Sequence, residues 1–147
     1  GVRWVYHIPI EERNFKFERL GTILTALSGS IGNFVLALFM MYFVAYFPFG
    51  SFSKPVVKTV FDISRTIIDF TLFFGVINLI PIPPFDGGRI LRVVLPRAAQ
   101  RFVDTLEEYS LFIMMALFIV PVISDLFFGV VGLGVAFVAK GLSLLVV

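Results

Sequence analysis

The residues best suited to chemistry lie together at the end of an apolar run, in Asn78-Leu79-Ile80-Pro81-Ile82-Pro83-Pro84-Phe85-Asp86-Gly87-Gly88. Three prolines remove backbone donors and disfavour helical geometry at each preceding residue, so no regular helix accommodates this stretch. The two glycines add backbone freedom that other residues lack. In hydrocarbon, irregular backbone survives only inside protein or beside a water-filled cavity, because each unpaired polar group costs several kcal/mol. A carboxylate there costs a further roughly 2.5–3.5 kcal/mol on insertion scales, which makes Asp86 a functional candidate by default. One natural partner is a divalent metal, since ligation by its oxygens neutralises the charge.

The elements around this stretch are those of a membrane protein. Of the 147 residues 59% are hydrophobic, 19 of them Phe, against the roughly 45–50% usual in soluble domains. Mean hydropathy is +0.98. The net charge of +2 is small and the basic residues are scattered, so nothing points to nucleic acid, and the absence of cysteine excludes disulfides and thiolate metal sites. Residues 1–20 are mixed and charged, and Pro9 biases Ile8 away from helix, predicting a short extended interfacial segment. No charged residue occurs from Leu20 to Ser53, which predicts a span over about 22–47, since roughly 20 apolar residues cross a bilayer. Its first half is small or polar, with Ser28 and Gly32 placed for close helix packing.

Residues 48–65 read as a charged loop and about 67–85 as a second span ending in the proline segment. Residues 89–109, with Arg89, Arg92, Arg97 and Arg101, read as a surface helix touching acidic lipid heads. A third span is expected over about 109–124, broken by Pro121, and 126–147 is a candidate fourth span or a re-entrant hairpin. The fold class expected is thus an all-α polytopic membrane protein of three to four transmembrane helices, with a membrane domain over 21–147 and a broken helix at the proline segment. Eight Lys or Arg in 1–20 and 86–109, against three in 48–65, predict that the Asp86 end is cytoplasmic.

The pattern Asn78-x-x-Pro81-x-Pro83-x-x-Asp86-Gly87 resembles the NxxPxPxxDG motif of the site-2 protease family of intramembrane metalloproteases, meeting every fixed position. Gly29-x-x-x-Asn33 resembles that family's second marker, with Ser30 where proline is frequent. The order of the two, about fifty residues apart across a membrane hairpin, also agrees, and the resemblance covers most of residues 20–100. It implies a Zn2+ site made by two histidines of an HExxH helix and by Asp86, with the HExxH glutamate as general base acting on a zinc-bound water. It further implies that Asn33 and Asn78 hold an unwound transmembrane protein substrate extended through side-chain amide hydrogen bonds. Pro81 and Pro83, with Pro84, would keep the loop open, and Gly87 would allow close backbone approach.

No HExxH occurs in residues 1–147, and the one histidine, His7, lies outside the expected spans. In the family that helix precedes the segment at hand. Together with a start at Gly1 rather than Met, this predicts a chain continuing from an upstream HExxH half and inactive without it, so no catalytic residue is assigned within it. A pseudoprotease that binds membrane proteins is the alternative. A transporter lined by broken helices is a third reading, which the lack of any shared pattern between 20–47 and 67–85 disfavours. Blander roles exist for several residues: Asp86 as a turn, Asn33 and Asn78 as helix-packing amides, His7 as an interfacial side chain, Asp125 as a cap, and Asp69 as a partner of Arg65 four residues earlier.

Overall fold

A computed structural model describes residues 18–146. They form six helices: α1 (Glu18–Tyr46), α2 (Lys54–Ile77), α3 (Asp86–Val94), α4 (Arg97–Glu108), α5 (Ser110–Ile119) and α6 (Pro121–Val146), with one 3-10 turn at Phe49–Ser51 between α1 and α2. The described part is therefore all-helical. The extended segment expected over 1–20 lies outside the described residues except for its last three, which open α1.

Two helices, α1 from Arg19 and α6, are long and apolar enough to cross a membrane. Only 17% and 11% of their most apolar stretches are buried, so neither resembles the core helix of a soluble fold. Phe39, Leu126 and Phe137 are among the large apolar side chains they leave exposed.

Two element boundaries differ from the expectation. Residues 54–65 are not loop but the first turns of α2. Pro55 near the helix start needs no donor there, and Lys54, Lys58, Asp62, Arg65 and Asp69 recur every three or four residues, all exposed on one side. Charge alone does not mark a loop, because a charged stripe is compatible with helix. Arg65 and Asp69 do pair, at 3.9 Å. At the other end, 126–147 is not separate from what precedes it: α6 runs from Pro121 without interruption through Gly129, Gly132 and Gly134. The break falls one residue earlier, at Val120, which is extended because it precedes proline.

Helices α1 and α2 pack antiparallel. The Phe34 ring lies on Gly75, where any Cβ would collide with it, and near the connection Phe49 and Phe61 meet with ring centroids 5.0 Å apart. Helix α6 runs in the same direction as α1, because the Tyr42 and Tyr46 hydroxyls donate to the carbonyls of Leu145 and Val146, the second at 2.8 Å. The apolar centre lies at the end of α2: Ile77, Leu117, Phe127 and Val131 are buried together, with Phe73, Val76, Ile80, Phe85, Ile113 and Val135 packed around them. Helices α2, α5 and α6 thus converge on the proline segment.

The hairpin of α3 and α4 is tied by Arg92, which donates to Asp104 at 2.5 Å and to Glu107 at 2.9 Å. All three side chains are a third to a half exposed, so solvent screens the pairs and each contributes about 1 kcal/mol at most. Arg92→Ala is accordingly expected to shift thermal unfolding in detergent only slightly. A large loss of stability would show that the network does more than hold a surface.

Candidate functional site

The site is built where α2 stops. Asn78 still has helical geometry and its N–H donates to the Phe74 carbonyl, but no further turn follows. The N–H of Leu79 goes to Val76, that of Ile80 to Ile77, that of Ile82 to Ile80 and that of Phe85 to Ile82. Pro81, Pro83 and Pro84 have no N–H to place. Every backbone donor from Asn78 to Phe85 is therefore either paired, to the last turn of α2 or within the loop, or removed by proline, which meets the demand that a low-dielectric surrounding makes on irregular backbone. The prolines expected to keep the loop open also reduce the number of donors it must satisfy. Pro83 is buried, while Pro81 and Pro84 are exposed.

The two ends of the loop are joined. Gly87 N–H donates to the Asn78 carbonyl at 2.7 Å, and Gly88 N–H to Phe85 at 2.9 Å. Both glycines are buried. A Cβ on Gly87 would run into the Ile80 carbonyl and stand 2.6 Å from that of Leu79, and one on Gly88 would stand 2.8 Å from the Pro83 nitrogen. The Asp-Gly-Gly sequence thus lets the start of α3 lie directly on the loop that leads into it.

Asp86 is the first residue of α3 and is half-buried. One carboxylate oxygen lies 3.4 Å from the point where a Cβ on Gly29 would stand. The residues of the two sequence patterns, about fifty positions apart, are in contact here. Among the described residues the Asp86 carboxylate has no hydrogen bond and no ion pair. Gly29 lies about 16 Å along α1 from Glu18 and about 25 Å from Tyr46, at 1.5 Å per residue. An unpaired carboxylate therefore stands against the interior of an apolar helix, far from both ends.

Asn33 is one turn beyond Gly29 on the same side of α1, and Asn78 is tied to Gly87 through its backbone. Both amides are half-buried. The structure brings Gly29, Asp86, Gly87, Pro83 and the Asn78 backbone into one locality, and places Asn33 beside it by helical register. His7 lies outside the described residues.

As a metal ligand, Asp86 fits: it is an oxygen donor without a competing partner. As a complete metal centre the described residues do not fit, because they contain no group of three His, Cys, Asp or Glu able to hold an ion. A single carboxylate leaves most of a tetrahedral zinc shell to other ligands.

Two features were missed by sequence reasoning. Phe85, immediately before Asp86, stacks on Phe127 with centroids 6.1 Å apart and planes 13° apart. Among 19 phenylalanines nothing marked that pair. Ser30, next to Gly29, is 1% exposed and its hydroxyl has no partner among the described residues; its place among small polar residues was visible, its burial was not.

Comparison with known proteins adds two findings. Residues 59–121 match the profile of Peptidase family M50, a stretch that includes the whole proline loop and Asp86 but not α1. A Bacillus subtilis (strain 168) protein described as "Putative zinc metalloprotease YwhC" is 29% identical over 123 residues, which is 82% of this chain and 56% of that protein. The chain thus spans little more than half the length of that relative. No solved structure matches it.

Proposed function

From the premise that residues 59–121 are a peptidase M50 domain, of the site-2 protease family, and the chain a distant homologue of the Bacillus protein, we propose that it is the C-terminal core of an intramembrane zinc metalloprotease. Its substrates are transmembrane segments of other membrane proteins. The observation that carries this reading is the Asp86 carboxylate, unpaired among the described residues, lying against Gly29 in the interior of an apolar helix. A cation is a natural partner for a carboxylate so placed, and the loop that carries it has few other reasons to interrupt a membrane helix.

In this reading α1, the later part of α2 with the proline loop, and α6 cross the bilayer, α3 and α4 lie at its surface, and the Asp86 end faces the cytoplasm. Asp86 supplies one oxygen ligand. Bound zinc would act as a Lewis acid and bring the pKa of its water to about 7. The two histidines and the general base belong to an HExxH segment that residues 1–147 do not contain, so no bond-breaking step is assigned to this chain, and alone it is inactive. Asn33 and Asn78 hold the unwound substrate by donating amide hydrogen bonds to its carbonyls. The proline loop keeps lipid and the substrate's own helix from closing over the ligand.

The test is zinc content and cleavage of a model membrane substrate by the protein together with its HExxH segment. Stoichiometric zinc with cleavage supports the reading; a folded protein with neither would sink it. Asn33→Ala and Asn78→Ala are each expected to slow cleavage about 3- to 10-fold, the loss of one neutral hydrogen bond of ~0.5–1.5 kcal/mol. Zinc content should stay at the wild-type level, because neither amide is a ligand. A second reading is a non-catalytic relative that binds membrane proteins, in which the upstream HExxH is missing or degraded. It predicts substrate binding without zinc.

A further inference from the structure

We infer that Phe127 of α6 is a positioning residue for Asp86, acting through Phe85; this rests on the proposed role of Asp86 as a metal ligand. A ligating carboxylate is usually oriented by hydrogen bonds from neighbouring groups. Asp86 has none among the described residues, so its placement must come from the chain on either side. On one side Gly87 is fixed by its bond to the Asn78 carbonyl. On the other, Phe85 is extended, with φ −69° and ψ 157°, and its backbone is tied only to its own neighbours, its N–H to Ile82 and its carbonyl to Gly88. What ties Phe85 to the rest of the fold is its ring, stacked on Phe127 and packed against the buried group of Ile77, Leu117, Phe127 and Val131.

Phe127 is 8% exposed and lies 42 residues after Phe85, in α6. It is locked by Phe118 at 6.4 Å and Phe128 at 5.5 Å, both edge to face. Phe127 lies beyond the stretch matched to the peptidase family, so it supports the aspartate from outside the matched segment. Without it, Phe85 loses its stacking surface on α6, and the loop and the first turn of α3, still bonded to each other, can shift together and move the carboxylate away from Gly29.

The chain has no cysteine, so a Gly29→Cys, Asp86→Cys pair reports that placement without background. The rate at which a short thiol-reactive cross-linker joins the pair, read by peptide mass after proteolysis, is expected to fall about tenfold in Phe127→Ala and less in Phe127→Leu, which retains more of the bulk. Leu72→Ala, which empties a buried site of α2 outside this group, lowers thermal stability but should leave the rate within about twofold. Equal slowing by Leu72→Ala and Phe127→Ala, or no slowing by either Phe127 variant, overturns the inference. Should Phe127→Ala fail to fold, Phe127→Leu against Leu72→Ala decides it alone. Zinc affinity of the protein with its HExxH segment separates this from the metal reading. A roughly 10-fold weakening in Phe127→Ala, within the 10–100-fold typical of lost ligand support, agrees with both. Slowed cross-linking with zinc affinity unmoved even by Asp86→Ala leaves Phe127 as the holder of the loop and removes the metal.

Discussion

Asp86→Ala, made in the protein carrying its HExxH segment, is expected to lower cleavage of a membrane substrate by at least about 100-fold and to reduce bound zinc in parallel. Removing a group that merely supports a metal ligand costs about 10–100-fold, and loss of the ligand itself should cost more. The structure makes the expectation specific to this carboxylate. Asp86 lies against Gly29 without a partner among the described residues, whereas Asp69 is 69% exposed and paired with Arg65. Asp69→Ala is therefore the matched control and should change cleavage less than about twofold, as befits a surface pair of at most about 1 kcal/mol. Metal analysis and initial cleavage rates on the two variants check this together. An Asp86→Ala protein that kept both zinc and activity would remove Asp86 from the site.

The second large effect is on the loop itself. In Gly87→Ala the new methyl meets the carbonyls of Ile80 and Leu79, which are backbone and cannot swing aside as a side chain can. The start of α3 must lift off the loop, weakening the bond from Gly87 to Asn78. Overpacking of this kind costs typically about 1–3 kcal/mol, and here it also displaces the adjacent carboxylate. We expect a clear fall in unfolding temperature together with loss of zinc. Gly32→Ala, on the same helix as Gly29 but with open space around its Cβ, should be harmless, or stabilising by up to about 1 kcal/mol from helix preference. Two glycine-to-alanine changes of the same size thus separate a steric requirement from a general intolerance of bulk. Similar behaviour of both variants would refute the steric account.

How much of this was legible in the sequence differs from residue to residue. The stretch from Asn78 to Gly87 could be read because prolines and an aspartate in an apolar run violate the rules of a spanning helix, and violations are informative. The meeting of Gly29 with Asp86 was reachable only through the resemblance, since no local rule joins positions so far apart. The first half of α2 was misread for a physical reason: charges at three- and four-residue spacing were taken as loop, while helix formation needs backbone bonds rather than apolar side chains. The extent of α6 stayed undecided because three glycines within six residues weaken any helix assignment, and in the structure packing of Gly134 against Val76 accompanies an unbroken helix. The support of Phe85 by Phe127 was invisible, as one phenylalanine among many carries no address.

The way the proline loop satisfies its own donors has a consequence for what can be laid along it. From Asn78 to Phe85 every N–H is either spent on the end of α2 or within the loop, or absent, while the carbonyls of the exposed Pro81 and Pro84 make none of the loop's own backbone bonds. To an extended peptide the loop is therefore one-sided, offering acceptors and no donors, and it cannot serve as the edge of a sheet, where both kinds alternate. A guest strand could bring its N–H groups to it but would have to find donors for its own carbonyls elsewhere. Side-chain amides are the neutral groups that give donors without adding a charge, and Asn33 and Asn78 flank the loop from the two helices that frame it.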